Sequence, residues 1–193
     1  MSQFAGILLA AGKGLRFDPT GVRNKLLQQL SNGETVVAAS AKNLLAVLPT
    51  VRAVVRPGAD AVAAQLRALG CEVIECSSAD QGMGASLVHA LSQPCNASGW
   101  VIALADMPHV QPATISALID AIKSGADIAA PTYMGRRGNP VAFSRKHLPD
   151  LLRLGGDEGA RSLLRAFPVS EVAVDDAGIR QDIDTATDLK FSA

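Results

Sequence analysis

An α/β fold, with a mostly parallel sheet between helices on both faces, is predicted by three features of the sequence. Short β-rich apolar runs alternate with longer helical patterns along most of the chain. Two of those runs, Phe4 to Ala10 and Trp100 to Leu104, carry no charge, as expected of strands covered on both faces. At 193 residues and 48% apolar content, the chain has material for one well-buried domain and is short for two.

The elements follow in order. The strand Phe4 to Ala10 precedes a helix from Thr35 to Leu48, and the strand Val51 to Val55 turns through Pro57-Gly58 into a helix from Asp60 to Leu69. Glu72 to Glu75 reads as a strand before a helix from Ala85 to Leu91. Trp100 to Leu104 is a buried strand before a helix from Pro112 to Lys123, where Pro112 fits a first turn that tolerates a missing N–H. Ile128 to Ala130 and Val141 to Phe143 are short strands, and a helical stretch runs from Lys146 to Arg165, with Gly155-Gly156 as a loop signal. Between the two short strands, Pro131 to Pro140 with Arg136-Arg137-Gly138-Asn139 is either a functional basic loop or a solvated turn. No repeat, linker or low-complexity segment interrupts the series.

Composition narrows the function classes. Eighteen basic residues balance eighteen acidic ones, so no long-range field draws the chain to nucleic acid or an anionic membrane. Aromatic residues are 4% of the chain, too few for the stacking platforms of a single-strand binder. Cys71, Cys76 and Cys95 lack paired metal or redox spacing and read as free thiols in a reducing cytoplasm. Only Met1-Ser2-Gln3 precedes the first apolar run and no uninterrupted segment is long enough to span a bilayer, so a cytoplasmic, unexported protein is expected.

The first loop carries the strongest chemical signal. Gly12-Lys13-Gly14-Leu15-Arg16-Phe17 follows a buried strand, and Lys25-Leu26-Leu27 comes soon after. Small residues let backbone N–H groups approach an anion while long cations close around it. The dinucleotide fingerprint fails because Phe17 stands where a third glycine is needed. The P-loop fails because no Gly-Lys-Ser/Thr occurs in the chain. From these residues alone the loop is either a phosphate cradle or an empty strand-to-helix turn.

Further candidates lie downstream. Asp106-Met107-Pro108 places a carboxylate just beyond a buried strand, as a metal ligand or a helix cap. Asp182-Ile183-Asp184-Thr185 offers two carboxylates at strand alternation, hence on one face, although Asp184 could instead cap a short helix from Ala186 to Lys190. Gln81-Gly82-Met83-Gly84-Ala85-Ser86 is a loop of small residues leading into a helix, open either to a ring or sugar or to nothing. His89, His109 and His147 show no cluster or triad spacing, and no Gly-x-Ser-x-Gly elbow or paired cysteine supports covalent catalysis.

Taken in order, seven motifs resemble the MobA-like nucleotidyltransferases, and among them the molybdenum cofactor cytidylyltransferases. They are Leu9-Ala10-Ala11-Gly12-x-Gly14-x-Arg16-Phe17, Lys25-Leu26-Leu27, Gly82-Met83-Gly84-Ala85-Ser86-Leu87, Asp106-Met107-Pro108, Arg137-Gly138-Asn139-Pro140-Val141-x-Phe143, Gly156-Asp157-x-Gly159-Ala160-Arg161 and Asp182-Ile183-Asp184-Thr185. The resemblance implies a single Rossmann-like domain over residues 1–193 with three α/β/α layers, using a nucleoside triphosphate and Mg²⁺. It assigns Ala11, Gly12, Gly14, Arg16 and Lys25 to the triphosphate, Gly82, Met83 and Ser86 to base and ribose, and Leu9 and Ala10 to nucleotide binding without a finer role. It makes Asp106 and Asp184 the metal ligands, gives catalytic roles to Lys25, Arg16 and Asp106, and puts Arg137, Asn139 and Asp182 on the acceptor side. Leu-Ala-Ala-Gly in place of Leu-Ala-Gly-Gly favours CTP over GTP, with a molybdopterin-type cofactor as acceptor and transient contact with a molybdoenzyme or its chaperone. The alternatives are a guanylyltransferase or other NTP transferase acting on a different small phosphate acceptor, and a non-catalytic molybdenum cofactor binding and delivery protein. The chain departs from the family pattern in the long Arg16-to-Lys25 spacing, in Asn139 where histidine is common, and in Ala186 where proline is usual.

Overall fold

The computed structural model describes residues 3–156 and 159–191, so Asp157 of the sixth motif lies outside the described residues. Its elements are β1 (Phe4–Leu9), α1 (Val36–Leu45), β2 (Val51–Val55), α2 (Asp60–Ala68), β3 (Glu72–Glu75), α3 (Met83–Ser92), β4 (Gly99–Leu104), α4 (Pro112–Lys123), β5 (Ile128–Tyr133), β6 (Arg136–Arg137), β7 (Val141–Ser144), α5 (Leu148–Leu151), α6 (Arg161–Ala166) and β8 (Ser170–Ala173). The first four strands and the helices between them match the sequence-based order.

One eight-stranded sheet carries them, in the order β3-β2-β1-β4-β7-β5-β6, with β8 joined to β5. The pairs β1–β2, β2–β3, β1–β4 and β5–β8 are parallel, whereas β7 runs antiparallel to both β4 and β5. The sheet is therefore mostly parallel, as expected, with β7 inverted, which the short apolar run Val141 to Phe143 could not reveal, and with the two-residue β6 antiparallel to β5. Strand order reverses between β1 and β4, the place where open α/β sheets bind ligands beyond their carboxyl ends.

Side-chain alternation along the inner strands feeds two cores. Phe4, Leu8 and Ala10 face one layer with α1, α2 and α4, while Ala5, Ile7, Leu9 and Ala11 face the other with α3, α5 and α6. Every residue of β1 is buried, which is why its sequence shows no polar alternation. Thr35 begins α1 by accepting from the Ala38 amide, and Pro112 opens α4 as expected. Arg52, buried in β2, donates to the Ala90 carbonyl at 2.9 Å near the end of α3.

The expected helix from Lys146 to Arg165 is corrected to a 3₁₀ turn at Arg145–His147, α5, a loop through Gly155-Gly156, and α6. Gly156 has φ +64°, which ends any helical run. The loop then packs on α3: the Gly84 amide donates to the Gly156 carbonyl at 2.9 Å, and a Cβ on Gly84 would lie 2.8 Å from the Gly155 backbone. Among the described residues, no helix is long and apolar enough to cross a membrane.

Candidate active site

Beyond the carboxyl ends of β1 and β4 lies a cleft of about 460 Å³. One wall is the first loop: Leu9, Ala10, Ala11, Gly12, Gly14 and Arg16 all line it. Opposite stand Gly82, Met83 and Ser86, where the chain enters α3, and Lys25, Asp106 and Asp184 also line the cleft. All twelve residues the sequence assigned to nucleotide and metal thus share one cavity.

Each charged group is placed by local structure. Asn24 accepts from the Leu26 amide at 2.9 Å and so starts the 3₁₀ turn Lys25–Leu27, while Leu26 is buried in the core. The Lys25 stem lies over Gly14, whose φ of +66° requires glycine or strain. Between Arg16 and Lys25, the extra residues form a compact turn around Asp18. It accepts from the Thr20 amide, the Thr20 hydroxyl and the Arg23 amide at 3.0, 2.6 and 2.7 Å, and these bonds hold its carboxyl below the usual carboxylate range. The long spacing is accommodated without displacing Lys25 from the cleft.

Asp106 follows β4, whose pairing with β1 continues as the Ala105 amide donates to the Leu9 carbonyl at 3.1 Å. The C-terminal segment is tied to the same place, the Ile183 amide donating to the Asp106 carbonyl at 2.8 Å. Farther back, buried Asp176 accepts from the Gln111 amide and the Thr114 hydroxyl, pinning this segment to the start of α4. Asp182 and Asp184 lie in irregular backbone, not the expected strand. Asp188, at the start of the 3₁₀ segment Asp188–Phe191, closes the preceding turn by accepting from the Asp184 and Thr185 amides at 3.0 and 2.6 Å. The Asp184 carboxylate lines the cleft.

Lys25 Nζ sits between the two carboxylates, 2.6 Å from Asp106 Oδ2 and 3.3 Å from Asp184 Oδ1, and Arg16 pairs with the other oxygen of Asp184. Asp106 Oδ1 is buried with no hydrogen-bond partner among the described residues. Asp182 lies outside the cleft lining but close to this group, and burial together with the like charges of Asp184 and Asp106 pushes its carboxyl above the usual range. Two carboxylates on one cleft, one with an unsatisfied buried oxygen, are hard oxygen donors of the kind a magnesium-type cation takes.

Two acceptor-side residues are elsewhere. Arg137, on β6, pairs with Glu171 at 2.6 Å, and Asn139 lines a separate small void with Pro140 beside Met107 and Leu104. Of the histidines, His147 is buried and 3.2 Å from Asp150, while burial lowers the pKa of His109. Three charged residues that line the cleft have no role in the sequence-based assignment: Lys13, Arg56 and Asp80. A cation at the carboxyl end of a parallel strand is the signal that could have found Arg56.

A family model for the MobA-like NTP transferase domain matches residues 6–173. The chain belongs to this family. As a MobA-like protein it is 31% identical over 197 residues to the purine catabolism protein PucB of Bacillus subtilis (strain 168), covering 93% of this chain and 91% of PucB. Among solved structures it is similar to Rv0371c from Mycobacterium tuberculosis H37Rv, with TM-score 0.85, 31% identity, and coverage of 99% of this chain and 97% of that one. A manganese complex of Rv0371c matches with TM-score 0.79 and 30% identity, over 99% and 98% of the two chains. The fold is shared with a nucleotidyl transferase from Methanothermobacter, and the family to which the chain belongs is one of NTP transferases.

Proposed function

We propose that this MobA-like protein transfers CMP from CTP to the phosphate of a molybdopterin-type cofactor, releasing pyrophosphate in a Mg²⁺-dependent reaction. The observation that carries the reading is the convergence of Lys25, Asp106 and Asp184 at the strand-order reversal, inside a cleft walled by the first loop and the start of α3. An acceptor phosphate oxygen attacks the α-phosphorus in line, a new P–O bond forms, and the bond to the β-phosphate oxygen breaks. That acceptor is already ionised at neutral pH, so no side chain has to remove a proton, in keeping with a site that has no general-base dyad.

The chain's own residues bind and orient. Ala11, Gly12 and Gly14 present backbone to the phosphates, and Arg16 and Lys25 supply positive charge for the phosphorane and the leaving pyrophosphate. Lys25, held by both carboxylates, has to exchange some of that contact for phosphate oxygens. Asp106 and Asp184 would hold magnesium, which when bound neutralises phosphate oxygens without proton transfer. That the similar protein Rv0371c forms a complex with manganese supports the use of a divalent ion. Ala11 is buried against the cleft at the position that is glycine in Leu-Ala-Gly-Gly, and the room its methyl group takes up supports the smaller pyrimidine. Asp182 and the Arg137 to Asn139 turn serve the acceptor, with Arg137 giving up Glu171 to do so.

Pyrophosphate release, followed with each of the four triphosphates, Mg²⁺ and a purified molybdopterin-type cofactor, tests this. CTP is expected to be the preferred substrate. Preference for GTP would overturn the choice of base, and no release with any triphosphate would overturn the transferase reading.

A further inference from the structure

Arg56, just past the end of β2, makes two contacts that no other part of the site explains. Its Nε donates to the Ala11 carbonyl at 3.1 Å, and its Nη2 donates to Asp80 Oδ1 at 3.1 Å. The first contact lies where the first loop leaves the sheet, since the Ala10 amide, donating to the Val54 carbonyl at 2.9 Å, is its last ladder bond to β2. A trans peptide is rigid, so fixing the Ala11 carbonyl also fixes the Gly12 N–H on the opposite side of the same plane. The second contact lies on the turn Ala79–Gln81, immediately before Gly82. One guanidinium thereby joins the two walls of the cleft.

The energetic weight is unequal. Asp80 is 67% exposed, and an ion pair at that exposure contributes little by itself. The Arg56 side chain is 29% exposed and its bond to a carbonyl is charge-assisted and part-buried, so that contact holds the loop. What the Asp80 arm adds is geometry, because the guanidinium is a planar fork whose two donors have a fixed separation. Lys13 approaches Asp80 from the first loop at 3.1 Å, and this bond, with Arg56, keeps the Asp80 carboxyl below its ordinary range.

We propose that Arg56 is a positioning residue for the nucleoside: by tying the Ala11 carbonyl to Asp80 it sets the gap between the first loop and the start of α3, and through that gap the choice among triphosphates. The proposal rests on the nucleotidyltransferase reading above for its substrate, whereas the tie itself is a property of the free protein.

The test uses the full chain with Arg56→Gln, Arg56→Lys and Asp80→Asn. Amide hydrogen exchange without nucleotide is read over residues 11–14 and 79–83, and CTP and GTP binding is measured with Mg²⁺ by calorimetry. Arg56→Gln is expected to speed exchange in both segments and to weaken CTP binding about tenfold, the scale of one lost charge-assisted hydrogen bond. KM should rise far more than kcat falls, the CTP-over-GTP ratio should shrink, and Arg56→Lys should restore part of the affinity. Asp80→Asn, at an exposed position, should speed exchange chiefly over 79–83. Unchanged exchange in the variants, or an effect confined to kcat, overturns the proposal. If the parent protein binds no triphosphate, the proposed function fails, and the exchange data still decide whether Arg56 joins the two walls.

Discussion

Asp106→Asn separates the chemical role of Asp106 from its structural one. The wild-type carboxylate accepts from Lys25 Nζ at 2.6 Å, with Lys25 11% and Asp106 21% exposed. At an effective dielectric near 20, unit charges at that distance attract by about 6 kcal/mol before desolvation, which returns most of it. Asparagine keeps an oxygen for the ammonium, and Asp184 remains 3.3 Å from Lys25. The residual cost is the lost charge assistance, about 1–2 kcal/mol, offset in part because one of three neighbouring carboxylates is gone. In a chain of this size each kcal/mol moves Tm by about 2–4 °C, so thermal unfolding should shift by only a few degrees. Catalysis should suffer far more, because the carboxylate proposed to hold the divalent cation beside the reacting phosphates is lost, and a loss of at least about 100-fold is expected. Turnover is read as pyrophosphate release with CTP, acceptor and saturating Mg²⁺, and folding by calorimetry. Turnover within about threefold of the parent in a folded variant would refute the assignment of Asp106.

Three further outcomes follow from the same geometry. Lys25→Ala removes the ammonium lying between Asp106 and Asp184, so nucleotide-free protein should bind Mn²⁺ more tightly than the parent while binding CTP more weakly, both by calorimetry. Gly84→Ala places a methyl 2.8 Å from the Gly155 backbone and should destabilise the fold by about 1–3 kcal/mol while raising KM for the nucleotide at the adjoining cleft wall. Asp18 has its carboxyl held low in the folded state by the Thr20 hydroxyl and by backbone amides, so its stabilisation is present above the ordinary carboxylate pKa and lost as pH falls through the folded value. Asp18→Ala should therefore lower Tm at pH 7, with the gap to the parent closing at acid pH.

The sequence made the sheet centre legible because burial on both faces leaves an unmistakable trace. In β1 and β4 apolar residues occupy successive positions, and each strand ends at a functional segment. Strand direction leaves no such trace, so the inversion of β7 could not be read from Val141 to Phe143. The two-residue β6 and the largely exposed β8, whose Ser170 and Glu171 are polar, carry too little pattern to stand out. The stretch from Lys146 to Arg165 has helical composition, yet Gly156 at positive φ and the packing of Gly155 against Gly84 divide it. Asp184 reads equally as cap or cleft residue in the sequence, because only the fold shows its carboxylate paired with Arg16 and Lys25 while Asp188 closes the turn beside it. Arg56 escaped notice because an arginine beyond a strand is ordinarily solvated, and only the fold brings it to the Ala11 carbonyl.

Cytidylyl transfer is tested most directly by incubating the protein with CTP, Mg²⁺ and purified molybdopterin-type cofactor and weighing the product by mass spectrometry. The cofactor is expected to gain one cytidylyl group for each pyrophosphate released. An unmodified cofactor, or one carrying guanylyl when GTP competes at equal concentration, would contradict it.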